Sequence, residues 1–311
     1  MSIEYLAGNR IRGLSSERTI STGFNPDISD AWDLSTAVHV HDFTVSGEGA
    51  QASGLYFKSD GTTFYVVGSI RDKVTEYNMS TAWDVSTAVV GNNFSLATQG
   101  IQPSGIWFKS DGLKFITSDF NSDTIQSYTM STAWNVTTAS VNAGEAFDIS
   151  ADSANPYGVN LSPDGTKMFV IDQFTDDLFQ YTLSTPYNPS TAGSKVTVDI
   201  SSWNTNAFGL FIDDSGKRLY TGSNEAIELD QTKLTTAFDI STLVTLNNLS
   251  SQNGRVDAVF LRPDGLKMYT VEGMAVVSEY NLGTDNGIGA VFYETDTNKS
   301  YISHNGTWSE L

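Results

Sequence analysis

The sequence predicts an all-β protein, a five-bladed β-propeller with four antiparallel strands per blade, and three observations carry that reading. A ten-residue phrase, SDAWDLSTAV at 29–38, returns as STAWDVSTAV at 80–89, STAWNVTTAS at 131–140, STPYNPSTAG at 184–193 and TTAFDISTLV at 235–244. A second phrase keeps step with it: FKSDG at 57–61 and again at 108–112, LSPDG at 161–165, IDDSG at 212–216 and LRPDG at 261–265. Its glycines, Gly61, Gly112, Gly165, Gly216 and Gly265, are 51, 53, 51 and 49 residues apart. Between the phrases the chain consists of short apolar runs bounded by turn residues, without the 3.6-residue periodicity of helices. A period near fifty filled by four short strands is the sequence form of a propeller blade.

Residues 1–28 form an amino-terminal extension, and 29–285 hold the propeller. Within one blade, SGIWFKS (104–110) runs into a Ser-Asp-Gly turn, where glycine tolerates positive φ, and LKFITS (113–118) runs back, so the pair reads as a hairpin. TIQSYTM (124–130) supplies a third strand. After the STAWNVTTA connection a shorter fourth strand is carried by Phe147 and Ile149, matched by Phe94 and Leu96, Val198 and Ile200, and Asn247 and Leu249. The connection lies between the third and fourth strands; its Ser and Thr cap tight turns, and its aromatic (Trp32, Trp83, Trp134, Tyr187, Phe238) is expected to cover the seam between blades. One fourth-strand copy, VHVHDFTVS (38–46), precedes the first hairpin, and the last three-strand unit (257–282) has no fourth strand after it. An amino-terminal strand therefore closes the ring, which leaves no free sheet edge between the termini. Residues 286–311 read as a small carboxy-terminal β-hairpin module: VFYET and KSYIS are joined by Asp-Thr-Asn, and Asn305-Gly306 is a strong turn signal.

Composition excludes several function classes. With 17 basic and 36 acidic side chains the formal charge is -19, which repels nucleic acid and anionic lipid and suits a protein kept soluble in salty water. There is no cysteine, hence no disulfide, thiolate nucleophile or Cys-ligated metal. No stretch approaches the ~20 apolar residues of a membrane span, and MSIEYLAGNRIRGL lacks the apolar core of a secretion signal. No membrane insertion is expected, and the expected location is a virion or the extracellular space, reached without a standard signal peptide.

Propellers usually bind ligands at the loops between strands four and one and between strands two and three. Those loops are where these blades stop repeating one another. The candidate ligand-binding residues taken from them are Arg71, Asp119, Tyr157, Asp172, Trp203, Arg255, Asp257 and Glu272. Asp119, Asp172, Asp257 and Glu272 include enough carboxylates for a glycosidase acid and base, but no sequence feature selects a pair. The acid-rich loops DFNSD and QFTDDL leave calcium open as the one cofactor; otherwise none is expected. The three histidines, His39, His41 and His304, do not compose a zinc site, and there is no phosphate-binding loop, dinucleotide fingerprint or nucleophile elbow. No catalytic residues are assigned, and the chain reads more as a binder than as an enzyme.

FKSDGTTFYVVGSIRDKVTEYNMSTAWDVSTA and LSPDGTKMFVIDQFTDDLFQYTLSTPYNPSTA resemble the SPDGTKMYV-type propeller repeats of secreted and viral proteins, and more loosely the lactonase-like propellers, over about 30–285. The fourth copy departs most: Asp214 and Ser215 replace the usual Pro-Asp, and Thr232 replaces the tyrosine found at Tyr77, Tyr128, Tyr181 and Tyr280. IEYLAGNRIRGLSSER (3–18) resembles the opening of marine virus structural proteins. GAVFYETDTNKSYISHNGTWSEL (289–311) resembles the terminal β module of phage tail and fibre proteins, whose pattern is FYxTxTxKxYxxxNGTxW. The resemblance implies a virion structural or appendage protein whose extensions dock on other virion proteins and whose propeller binds a host-surface or partner ligand such as a glycan. A homo-oligomer is compatible with it. A carbohydrate-active or lactonase-like enzyme and a purely structural virion scaffold are the competing expectations.

Overall fold

The computed structural model describes residues 31–45, 51–97, 102–224, 228–273 and 275–283 in full, and the backbone of six further strands at 4–6, 10–12, 18–19, 291–294, 299–304 and 307–310. It is the expected propeller. Five antiparallel sheets each run in order from an inner strand to an outer one. Blade 1 comprises Ala52–Phe57, Thr63–Gly68, Lys73–Met79 and Ala88–Ser95. Blades 3 and 4 repeat it at residues 156–199 and 207–250. In blade 2 the outer strand is split into Ala139–Val141 and Phe147–Asp148, both paired with Thr124–Met130. Blade 5 is built from Val256–Leu261, Lys267–Glu272 and Val276–Asn281, and Val38–Thr44 completes it by pairing with Val276–Asn281. The closure read from the lone amino-terminal strand therefore holds.

Outside the propeller, strands at 4–6, 10–12 and 18–19 pair with one another, as do those at 291–294, 299–304 and 307–310. The carboxy-terminal module is thus three-stranded, one strand more than the expected hairpin; Asn305 and Gly306 lie outside the described residues.

The repeated phrases meet in space. In every blade the aromatic of the connection lies over the glycine of the same blade's hairpin: Trp83 on Gly61, Trp134 on Gly112, Tyr187 on Gly165, Phe238 on Gly216 and Trp32 on Gly265. Its N–H donates to that glycine's carbonyl at 2.8 to 3.0 Å. Each aromatic has a φ between 54° and 75° and each glycine one between 67° and 73°, so both partners occupy the left-handed region. For a bulky L-residue this costs roughly 1–2 kcal/mol, offset here by the hydrogen bond and by rings such as Phe57 and Phe108 stacked beside Trp83 and Trp134 at 5.8 and 5.7 Å. A glycine is required because a Cβ there would enter the ring.

A three-residue 3₁₀ turn follows each aromatic and is capped by Asp33, Asp84, Asn135, Asn188 or Asp239, whose side chain accepts from the backbone N–H two residues on. The same connection holds the preceding blade. Tyr65, Tyr220 and Tyr269 donate their hydroxyls to the carbonyls of Trp134, Trp32 and Trp83 at 2.6 to 2.7 Å. Gln231, Glu279 and Gln180 accept from the buried N–H groups of Leu34, Val85 and Ile240, each at 3.0 Å. In blade 3 the turn begins with Pro189, which has no N–H, and blade 2 presents the short Ser127 at the facing position. The aromatics thus do more than the expected covering of a seam: the ring locks its own blade and the adjoining backbone ties that blade to its neighbour.

Gly112→Ala should lower the stability by about 2–4 kcal/mol, from left-handed strain plus overpacking against Trp134. Gly144→Ala, where an added Cβ meets nothing within 4 Å, should stay within about 0.5 kcal/mol of the wild type. Urea unfolding midpoints at unchanged slope check the pair.

Gln180→Ala should cost about 1–3 kcal/mol, because it strands the buried N–H of Ile240. Ser127→Ala, which faces the proline, should break no equivalent inter-blade bond; parallel thermal unfolding of both variants makes the comparison.

Candidate functional site

The inner strands bring five glycine-level positions to the axis: Gly54, Gly105, Gly158, Gly209 and, in blade 5, Ala258. A Cβ on Gly105 would meet the Tyr157 carbonyl oxygen at 2.6 Å and the Val159 nitrogen at 2.8 Å; one on Gly158 would meet the Phe208 oxygen at 2.8 Å. The strands therefore approach backbone to backbone and leave only about 20 Å³ at mid-channel. This waist divides the axis into two separate ends.

Two residues farther along each inner strand, on the same side of the pleat, stand Tyr56, Trp107, Asn160, Phe211 and Phe260. With the hairpin turns they line a cavity of about 320 Å³ at the hairpin face, in the range of small-molecule sites. Phe260 meets Tyr56 and Phe211 edge-on, at 5.3 and 5.5 Å with interplanar angles of 68° and 66°. Asn160 breaks the aromatic column; it is 6% exposed, and its Oδ1 receives no hydrogen bond. The third residue of each hairpin phrase forms the rim: Ser59, Ser110, Pro163, Asp214 and Pro263. Asp214 is the one charged member of that rim. Partial desolvation, with the Asp213 charge second, raises its carboxyl above the ordinary carboxylate range, and Asp214 in turn adds to the upward shift that burial imposes on the Tyr56 hydroxyl. The other charges of the cavity are spent on each other. Asp213 accepts from Ser215 Oγ and from the N–H groups of Lys217 and Arg218, and it pairs with the Arg218 guanidinium at 3.1 Å, which lies 5.2 Å from the Trp32 ring.

The far end holds residues expected from sequence, and several of the described ones bind one another or their own loops. Tyr157 reaches from blade 3 to Asp257 of blade 5, with 3.4 Å between the hydroxyl and Oδ1. Arg255 pairs with the same oxygen at 2.5 Å and lies 4.5 Å over the Phe208 ring. Asp257 is fully buried, and burial, then its charge, raises the Tyr157 hydroxyl. Asp119, Asp172 and Glu272 occupy one equivalent position, the end of the second strand, in blades 2, 3 and 5. Each pins its own loops: Asp119 accepts from the N–H groups of Gln102, Asn121 and Ser122, Asp172 from Asn155, Phe174 and Thr175, and Glu272 from Gln252 and Asn253 and from the Tyr280 hydroxyl. Arg71 is exposed on its loop and Trp203 half-buried. Among the described residues no three His, Asp or Glu side chains converge as a metal would require.

The sequence reading passed over the mouth. Its signal was present in the inner-strand repeats SGLYF, SGIWF, YGVNL, FGLFI and DAVFL, whose fourth residue is aromatic in four copies and Asn in the third. A shallower cavity of about 480 Å³ borders blade 4 and is lined by Trp203, Asp230 and Thr245–Asn248 among others. There Asp230, 7% exposed, is pushed up to about 7, chiefly by desolvation and against the hydrogen bond donated by Asn204 Nδ2 at 2.7 Å.

No family model matches this chain, and no curated protein does. Among solved structures it is similar to a functionally unknown protein from Desulfotomaculum acetoxidans, at 11% identity and a TM-score of 0.42 over 84% of this chain and 68% of the other. It is also similar to a chain of a Mitotic Checkpoint Complex, at 15% identity and a TM-score of 0.43 over 71% of this chain; it spans 59% of that chain's length. The described residues contain no helix long and apolar enough to cross a membrane.

Because Asp230 is raised in the native state, the folded protein holds a proton that the unfolded chain has released between about pH 4 and pH 7. Its contribution to stability therefore falls as pH rises through that window and levels off above it. Asp230→Asn should leave the melting temperature nearly unchanged at pH 4 and gain roughly 2–3 kcal/mol by pH 8; an equal gain at both pH values would contradict the assignment.

Proposed function

We propose that this chain is a binding module rather than an enzyme, and that its recognition element is the channel mouth at the hairpin face. The observation that carries the reading is the coincidence there of four inner-strand aromatics, an Asn160 oxygen without a donor and a lone rim carboxylate, Asp214. The aromatic column is interrupted at Asn160 and the rim above it carries a charge in one blade only, at Asp214. Hydrolysis of a glycoside wants two free carboxylates across a bond. At the mouth Asp213 is occupied by Arg218 and backbone donors, which leaves Asp214 alone.

The resemblance of 3–18 and 289–311 to virus and phage structural proteins supports placing the module on a virion appendage, with the terminal segments docking on other virion proteins. The ligand is then a host-surface group, with a glycan as the leading source. Many copies on one particle would make a weak single site effective.

Purified protein incubated with a broad glycan panel, with and without calcium, should retain ligand and release no sugar, as read by mass spectrometry. Phe211→Ala should weaken retention about tenfold or more with the circular dichroism spectrum preserved. Released sugar would favour the enzyme reading, and absence of any retention the scaffold reading.

A further inference from the structure

We propose that the mouth is a cage for a substituted ammonium group, the cationic end of a ligand seated among Tyr56, Trp107, Phe211 and Phe260 and facing Asp214. This rests on the reading of the mouth as the binding site and names the chemistry it selects. Three features point to a cation.

The first is the shape of the walls. Phe260 stands at 68° to Tyr56 and 66° to Phe211, so the aromatic walls of the cavity are set at steep angles to one another and not in one flat plane. Ring faces are the negative part of the aromatic quadrupole and attract ammonium groups.

The second is the polar complement. Among the polar groups of the cavity, two acceptors are not spent on neighbours, the buried Asn160 Oδ1 and the Asp214 carboxylate, and Asp214 is the one charged group left unpaired. The one cation in the lining, Arg218, is held by Asp213 and turned onto Trp32. A ligand bearing a positive charge with N–H donors can satisfy both acceptors and the unpaired charge of Asp214.

The third is position. Asp214 stands where the other four blades place Ser59, Ser110, Pro163 and Pro263, so the mouth carries its charge on one side only. The net charge of -19 adds long-range attraction for cations. The lifted carboxyl of Asp214 supplies a further consequence: bound cation favours its ionised form, so affinity should fall as pH drops through its titration. Asp213, Arg218 and Tyr56 are the other titratable groups facing it.

The test uses the full chain and the indole N–H signal of Trp107, assigned with Trp107→Phe, titrated with choline, tetramethylammonium, glucosamine, N-acetylglucosamine and 3,3-dimethyl-1-butanol, the uncharged isostere of choline. Choline or glucosamine should shift the signal saturably and bind at least tenfold more tightly than the isostere or the acetylated sugar. Asp214→Asn should reduce that preference about tenfold and abolish its pH dependence. The choline and glucosamine arms separate an alkylated ammonium from an amino sugar as its source. If the isostere or N-acetylglucosamine binds as well as the amines, the ammonium inference falls while the mouth stands as the site. If no probe moves Trp107 and a retained glycan from the panel is insensitive to Phe211→Ala, the site itself is wrong.

Discussion

The contact between a left-handed aromatic and a left-handed glycine governs this molecule. It joins the connection outside the third strand to the hairpin between the first two, so three of the four strands in every blade are fixed by one ring and one hydrogen bond. At four of the five junctions the ring's own backbone carbonyl, the turn after it, or both are used by the preceding blade, so the same ten residues act on both blade geometry and blade-to-blade spacing. The repetition in the sequence follows from this. A residue pair needed in each blade appears in each blade, including the one completed by the amino-terminal strand, where Trp32 lies on Gly265.

Fixing the frame from outside leaves the axis free to vary. The glycine waist holds the inner strands at backbone distance, and the two ends are filled on different principles. At the far end Tyr157, Arg255 and Asp257 link blades 3 and 5 with a crossing hydrogen bond and an ion pair, a fully buried charge matched by its neighbour. The near end is lined with aromatics, keeps an acceptor without a donor and ends in a single acid.

The fold was legible in the sequence because its constraints recur: turn glycines and aromatics at a period near fifty, and a lone strand copy at the amino end, sufficed for blade number and ring closure. The split outer strand of blade 2 was not legible, since it depends on Glu145 reaching Lys114 and Ser127 across the sheet. Nor was the site. Loops that differ between blades drew attention to Asp119, Asp172 and Glu272, yet such loops differ partly because each must satisfy its own backbone, and these carboxylates do that. The column Tyr56, Trp107, Asn160, Phe211, Phe260 lies inside the regular strands, where a nearly uniform aromatic pattern looks like core until the strands are arranged around an axis. Asp214 was visible as a departure from the repeat, but its place at the rim required the ring.

The most direct measurement is a crystal of the full chain soaked with arsenocholine, whose arsenic marks its own position by anomalous scattering. The account predicts one dominant peak at the hairpin face, enclosed by Tyr56, Trp107, Phe211 and Phe260 and next to Asp214. A dominant peak at the opposite end, beside Tyr157 and Asp257, or a mouth that stays empty while arsenic gathers at scattered surface carboxylates, would contradict it.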